Sequence, residues 1–534
     1  MPDGVARAGA SDRPDALYAK LEERVLARDQ IGALDTYHQL FKAGRPLPEM
    51  LAEAVRIHAP YTHVPYHERI DDGYVNFVNN DHCLLSARAT LNLARLLPGV
   101  QAGLPMAQTI WYIPTGLDIW NQKIIKAPGH YARGFQMPPG PPPAPVVHWA
   151  DQEPLALDGP LKERLGHWQT LVHRGQVIDA YRVFLGIMRN KDERRAALSE
   201  LAFAGLIDVQ DRAFQNRSYT TGHKSFRARA TVELGDAIGW DDAHDVLYAG
   251  ALDIAVGPRW YSLYEMACNA VTVYIEGQVL HAVPYGGTTA RERALLDNRE
   301  PMSAAETEAF LEIVLRQPEP ANIEALARLL NAGKDPRSIL DAIQLGAAEV
   351  VIETNIDVNF SLPQHCYEYC NTLGWFWDNF AHQQRIKLLF LATAYLNQAA
   401  YHQHLSGDFA RTSVRAPTGA DRLTSAEIVD RLTSALIALD GPQSMAWTKA
   451  YLDSGAETGP LVRALALAAS RLGNDPHNQE IAQCMIEDYL KNKQPDRGRL
   501  LLACAQHTAA HRKYGDALDC SRRFGKAFDL AELG

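Results

Sequence analysis

The sequence predicts an all-α fold in which four divergent multi-helix repeat units pack around a shared histidine-rich centre. Three observations predict it. Apolar residues recur at helical spacing almost throughout, as in "ALARLLNAGKDPRSILDAIQLGAAEVV" and "RIKLLFLATAYLNQAAYH", with Gly or Pro at the breaks. Alternating patterns are scarce: "VTVYIEGQVLHAV" (271–283) is the best strand candidate, and it reads equally well as a helix end. Third, the chain aligns with itself in four segments.

Each segment opens with a helix: "ALDTYHQLFKAG", "VIDAYRVFLGIM", "IEALARLLNAG" and "MAWTKAYLDSG". A second follows: "LPEMLAEAVRIHA", "ERRAALSELAFAG", "PRSILDAIQLGAA" and "GPLVRALALAAS". After a variable polar loop come the third helices, "NNDHCLLSARATL", "TTGHKSFRARATV", "LPQHCYEYCNTLG" and "NDPHNQEIAQCMI". These place His82, His223, His365 and His477 at one shared position, in the first turn of a helix. Asn79, Asn80 and Asp81 are the expected caps of the first. Thirty residues further, without a gap, the same register meets Tyr112, Asp253, Tyr395 and His507, each within an apolar helix.

The expected organisation is a disordered lead-in (1–20), units at 21–133, 155–300, 301–410 and 411–534, and a Pro-rich linker, "GFQMPPGPPPAPVVHWADQEP", at 134–154. A length of 534 residues exceeds one small core. The net charge of −10 argues against a nucleic-acid partner, which would need clustered Lys and Arg. No run of eighteen apolar residues is present to span a membrane, and the N-terminus lacks an apolar signal core. Seven scattered cysteines make poor material for a disulfide framework, so a cytoplasmic location is expected.

Four imidazoles brought together at helix starts would make a nitrogen-rich metal site suited to iron, zinc, copper or nickel rather than to magnesium or calcium. Polar residues repeated on buried helices need partners, so Tyr112, Asp253, Tyr395 and His507 form either a hydrogen-bonded ring in the core or a shell of acid–base groups around the metal. Two further pairs, His63/His67 and His507/His511, have the i,i+4 spacing that places two imidazoles on one helix face, but neither is an HExxH motif and Pro65 makes the first a loop. His58, His382, His402 and His404 have no repeated counterpart and read as structural or surface residues. Aromatic stretches ("LGWFWDNF", "TIWYIPTGLDIW" and "PRWYSLY") read as core packing or as the wall of an apolar pocket. The chain carries no GxGxxG after a strand, no Walker loop and no GxSxG elbow. Oxygen chemistry here would therefore draw its electrons from the substrate or from a separate donor.

"GLIDVQDRAFQNRSYTTGHKSFRARATVELGDAIGW", "NIDVNFSLPQHCYEYCNTLGWFWD" and "NDPHNQEIAQCMIEDY" resemble segments of the questin oxidase-like superfamily, whose helical region also accompanies Rieske domains in some bacterial proteins. The resemblance extends diffusely from about residue 30 to 515 as a spaced histidine pattern. It implies a non-haem iron oxygenase acting with dioxygen on an apolar, aromatic small molecule, with iron(II) held by His82, His223, His365 and His477. Zinc or another transition metal remains open. Members of that family can add a carboxylated lysine. Here the last motif helix offers no lysine before Lys491, and Lys224 directly follows a ligand candidate, which points it to another face. Glu368 and Glu480, one turn past His365 and His477, are the alternative oxygen ligands. A non-catalytic helical repeat protein that binds a partner and a zinc-dependent hydrolase or isomerase are the competing expectations.

Overall fold

Four helices that carry the predicted histidines form a closed ring: Asp81–Leu93, His223–Ile238, Ser361–Asn379 and His477–Lys491. Each packs on the next in chain order, and the last returns to the first. The computed structural model describes residues 16–59, 81–116, 153–174, 176–209, 222–241, 243–247, 250–251, 254, 261–278, 287–354, 361–404, 411–473, 476–510 and 516–533. Among these the fold is all-α, without a strand. The ambiguous stretch from 271 continues the helix Ser262–Ala270 as a wider turn over Val271–Ile275, so it is a helix end there. The Pro-rich linker lies outside the described residues.

The helix preceding each histidine helix in sequence packs against it: Leu47–His58, Arg194–Ile207, Pro336–Glu353 and Gly459–Arg471. Among the described residues a long following helix packs outside the first, third and fourth, Leu104–Gly116, Arg385–His404 and Gly498–Ala510, and the short helix His244–Leu247 packs on the second. Their apolar faces bury Leu51, Leu201, Ile343 and Leu465 in one continuous core.

Enclosure on all sides explains the unusual composition of the inner helices. "HKSFRARATVEL" reads locally as half solvated, yet Lys224, Arg227 and Arg229 are all buried. Buried charges persist only when paired. Lys224 Nζ meets Asp208 at 2.5 Å, and Arg229 pairs with Glu233 at 2.9 Å and Glu487 at 2.5 Å. Six residues beyond each histidine, Arg88 donates to Gln483 and Arg229 to Asn371, both at 2.5 Å. Asn92, ten beyond His82, donates to Glu233, ten beyond His223, at 2.8 Å. Matching positions thus meet at successive depths, so the four helices leave the histidine ring in the same direction.

Candidate metal centre

Local chemistry sets where each imidazole starts. His223 begins its helix behind Gly222, whose φ of +102° is strained for any residue with a Cβ, and whose Cβ would press on the Phe226 ring at 2.7 Å. Gly205 of the preceding helix lets Lys224 O approach to within 2.8 Å of where a Cβ would stand, seating the start of the His223 helix. His477 follows Pro476, which has no N–H to leave unpaired at a helix start. Asn478 then staples that end to the preceding helix by donating to Ala469 O (3.0 Å) and Leu472 O (2.6 Å). His82 is the second residue of its helix and His365 the fifth. Asn79 and Asn80, and the side chain of Asp81, lie outside the described residues.

The four imidazoles converge. Ring centres are 5.6 Å apart for His82 and His223, 4.6 Å for His223 and His365, 5.2 Å for His365 and His477, and 4.2 Å for His477 and His82. A metal–nitrogen bond of about 2.1 Å puts a ligating imidazole's centre about 3.2 Å from the ion, so two such rings stand about 4.5 Å apart at a right angle and about 5.2 Å at a tetrahedral angle. The four spacings bracket these values, so the ring has the size of one ion's coordination sphere. Ligand atoms of His82, His223 and His477 all lie within 4.8 Å of one another, while His365 closes the circle from the fourth side but stands outside that tighter set. His82, His365 and His477 are buried and His223 is half-buried.

Three residues past the histidines, side chains lean back toward the helix N-termini and floor the ring. The first two segments supply Leu85 and Phe226 there, the last two Glu368 and Glu480, and all four are buried. Phe226 lies 5.6 Å from the His223 ring and is parallel to His365 at 6.3 Å. Local periodicity did not single out Phe226; its only signal is that it shares a register with the two glutamates. Glu480 Oε2 lies 3.1 Å from His82 Nδ1. Glu368 has Arg88 Nη2 3.6 Å from Oε1, yet neither of its oxygens has a hydrogen-bond partner among the described residues. Burial first, and then the charge of Glu480, push the Glu368 carboxyl up to about 7 against the pull of Arg88, His477 and His82.

Of the second repeated set, Tyr112 reaches the centre, its ring edge-on to His82 at 6.5 Å. Tyr395 is buried edge-on against Tyr369 at 5.6 Å, one turn past His365, and burial holds its hydroxyl well above its usual range. His507 is fully buried on the helix packed against the His477 helix. Asp253 lies outside the described residues. Lys224 points to Asp208, as its position beside His223 predicts. His382 stacks on Phe203 at 4.1 Å and faces Glu200 at 3.3 Å, a structural role.

Apart from Tyr112, the described parts of the aromatic stretches pack in the core rather than against the ring. Trp375 packs on Phe380 and under Arg229, ten residues and about 15 Å along its helix from His365. Tyr261 bonds His173 at 2.8 Å, and Trp120 and Trp260 lie outside the described residues. No helix among the described residues is long and apolar enough to cross a membrane.

Fold and site together define an all-helical protein with a buried, histidine-rich centre able to hold a metal ion. Comparison with known proteins finds no matching family model, no matching curated protein and no matching solved structure.

Proposed function

We propose that the chain is a non-haem iron oxygenase of the questin oxidase-like kind, oxidising an apolar, aromatic small molecule with dioxygen. One observation carries the reading: four imidazoles from four segments close a ring of one ion's dimensions. The donor set fits a transition metal, since nitrogen ligands from His82, His223, His365 and His477 suit iron and disfavour magnesium or calcium. An iron bound there supplies the binding and activation of dioxygen, which closed-shell organic substrates do not react with unaided.

The chain's own residues have separable tasks in this reading. Glu480 accepts from His82 Nδ1 and so fixes the tautomer that turns Nε2 to the centre. Leu85 and Phe226 give half of the floor an apolar surface that excludes water. Tyr112, whose ring is edge-on to His82, is the residue assigned to hold or release a proton at Oη as the substrate's oxidation state changes. Electrons come from the substrate or from a separate donor.

The test is elemental analysis joined to oxygen uptake. The expected result is one iron per chain, with oxygen consumption on a panel of polycyclic phenols that stops on chelation and returns with iron(II). Stoichiometric zinc without oxygen uptake would favour a hydrolase or isomerase. A metal-free protein that takes up no ion would sink the reading.

A further inference from the structure

Two carboxylates share the floor of the ring, and the geometry separates their roles. We propose that Glu368 is the carboxylate ligand of the metal and that Glu480 is a positioning residue acting through His82, an assignment that rests on the metal-centre reading above.

Glu480 already has an occupation: its Oε2 accepts from His82 Nδ1 at 3.1 Å, the arrangement in which a carboxylate orients a ligating imidazole. Glu368 has none. It is as deeply buried as Glu480, and no hydrogen bond reaches either of its oxygens among the described residues. An ionised carboxylate offers about four lone-pair sites, and burying them unfilled is costly. The nearby cation does not fill them. Arg88 stays 3.6 Å from Oε1 and donates instead to Gln483 at 2.5 Å and to Cys484 Sγ at 3.6 Å.

Position completes the argument. Glu368 is one turn past His365, and its side chain leans toward the helix start and hence toward the ring. Arg88, six residues past His82, approaches it from the deeper layer. The carboxylate therefore lies between Arg88 and the imidazoles, within electrostatic reach of His82 and His477. Two carboxylates also offset a divalent ion where four helix N-termini already contribute positive potential. The apolar side chains at the same register, Leu85 and Phe226, leave the opposite half of the floor without a ligand. The centre is thus built as four imidazoles and one carboxylate, with the carboxylate on the side of the third and fourth segments.

Metal-free protein titrated with cobalt(II), whose visible bands report coordination number, tests the assignment. Glu368→Gln is expected to change the band pattern to that of a lower coordination number and to weaken binding by more than the roughly 10–100-fold that a lost outer partner costs. Glu480→Gln is expected to keep the wild-type bands and lose affinity within that range. A second readout is the melting temperature: without metal Glu368→Gln melts above wild type, because the unfilled carboxylate is gone, and with saturating cobalt(II) the order reverses. Wild-type bands and affinity in Glu368→Gln overturn the assignment while leaving the metal centre standing. Altered bands in Glu480→Gln reverse it, and two cobalt ions per chain that both depend on Glu368 make it a bridge instead. No cobalt binding by the wild type overturns the metal reading itself.

Discussion

Two polar layers cross the same four helices, and they differ in how they are completed. In the deeper one, six to eleven residues past the histidines, charge meets charge: Arg229 holds Glu233, Glu487 and Asn371, and Asn371 in turn donates to Asp488 at 2.8 Å. In the shallower one, Glu368 is equally buried and has no hydrogen bond among the described residues. The carboxylates of the deeper layer are matched by the chain's own side chains. In the shallower one Arg88 stands 3.6 Å from Glu368 without a hydrogen bond, and the proposed metal is what would complete the carboxylate's shell. Depth and repetition are common to both layers, so neither marks a functional site. An unfilled buried carboxylate together with convergent imidazoles is the feature on which the proposed metal centre rests.

Breaking the deeper layer should give the largest loss of stability. Arg229→Met removes the buried cation shared by Glu233 and Glu487, leaving the half-buried Glu233 with Asn92 and the half-buried Glu487 with Lys491. Removing one partner of a buried pair costs about 3–5 kcal/mol. Urea unfolding of the metal-free protein measures it, and metal affinity of the folded variant should change less than the roughly tenfold minimum expected for a centre's own outer partner. A loss under about 1 kcal/mol, the size of an ordinary surface pair, would show that the layer is not the structural one.

The four histidines are legible in the sequence because they share a register that holds across otherwise unrelated side chains. The same register found Tyr112 beside His82. It could not separate Glu368 from Glu480, since the contact that distinguishes them, His82 to Glu480, joins residues nearly four hundred positions apart in the first and last segments. Arg88 and Gln483 are paired across the same distance. Within "HKSFRARATVEL", Arg229 likewise finds Asn371 and Glu487 on neighbouring helices, besides Glu233 one turn along its own. Of the two readings of "LGWFWDNF", core packing is the one found, because closeness in sequence to His365 became distance along a helix. Trp375 ended under Arg229 in the deeper layer.

A second prediction separates the layers by pH. Burial, and then the charge of Glu487, raise Asp488 from 3.8 to about 7, against the donors Asn371 and Tyr367 and the charge of Arg337. The folded protein therefore holds this proton more tightly than the unfolded chain. The stabilisation is fully present below about pH 4 and is lost as pH rises through about 7. Compared with Asp488→Asn, wild type should lose on the order of 2–4 kcal/mol between pH 4 and 7 and run parallel to the variant above that. Chemical unfolding at several pH values measures the difference. Parallel curves across the whole range would mean that the three donors to Asp488, from Asn371, Gln344 and Tyr367, outweigh its burial.

The smallest expected effect on stability is the sharpest discriminator. His223→Ala removes a member of the ring, yet His223 is half-buried, and His82, His365 and Phe226, which its ring touches, stay enclosed by their own helices. Truncating a half-buried side chain leaves a small packing loss, so the metal-free variant should lie within about 1 kcal/mol of wild type. Adding metal should then separate them. A ligand at a hundred times its dissociation constant stabilises the protein that binds it by about 2.7 kcal/mol, and the variant should gain little of this. Paired thermal melts with and without iron(II) under anaerobic conditions measure both quantities at once. If His223→Ala destabilised the metal-free protein as much as Arg229→Met, the ring would belong with the deeper layer, as packing that the chain completes for itself.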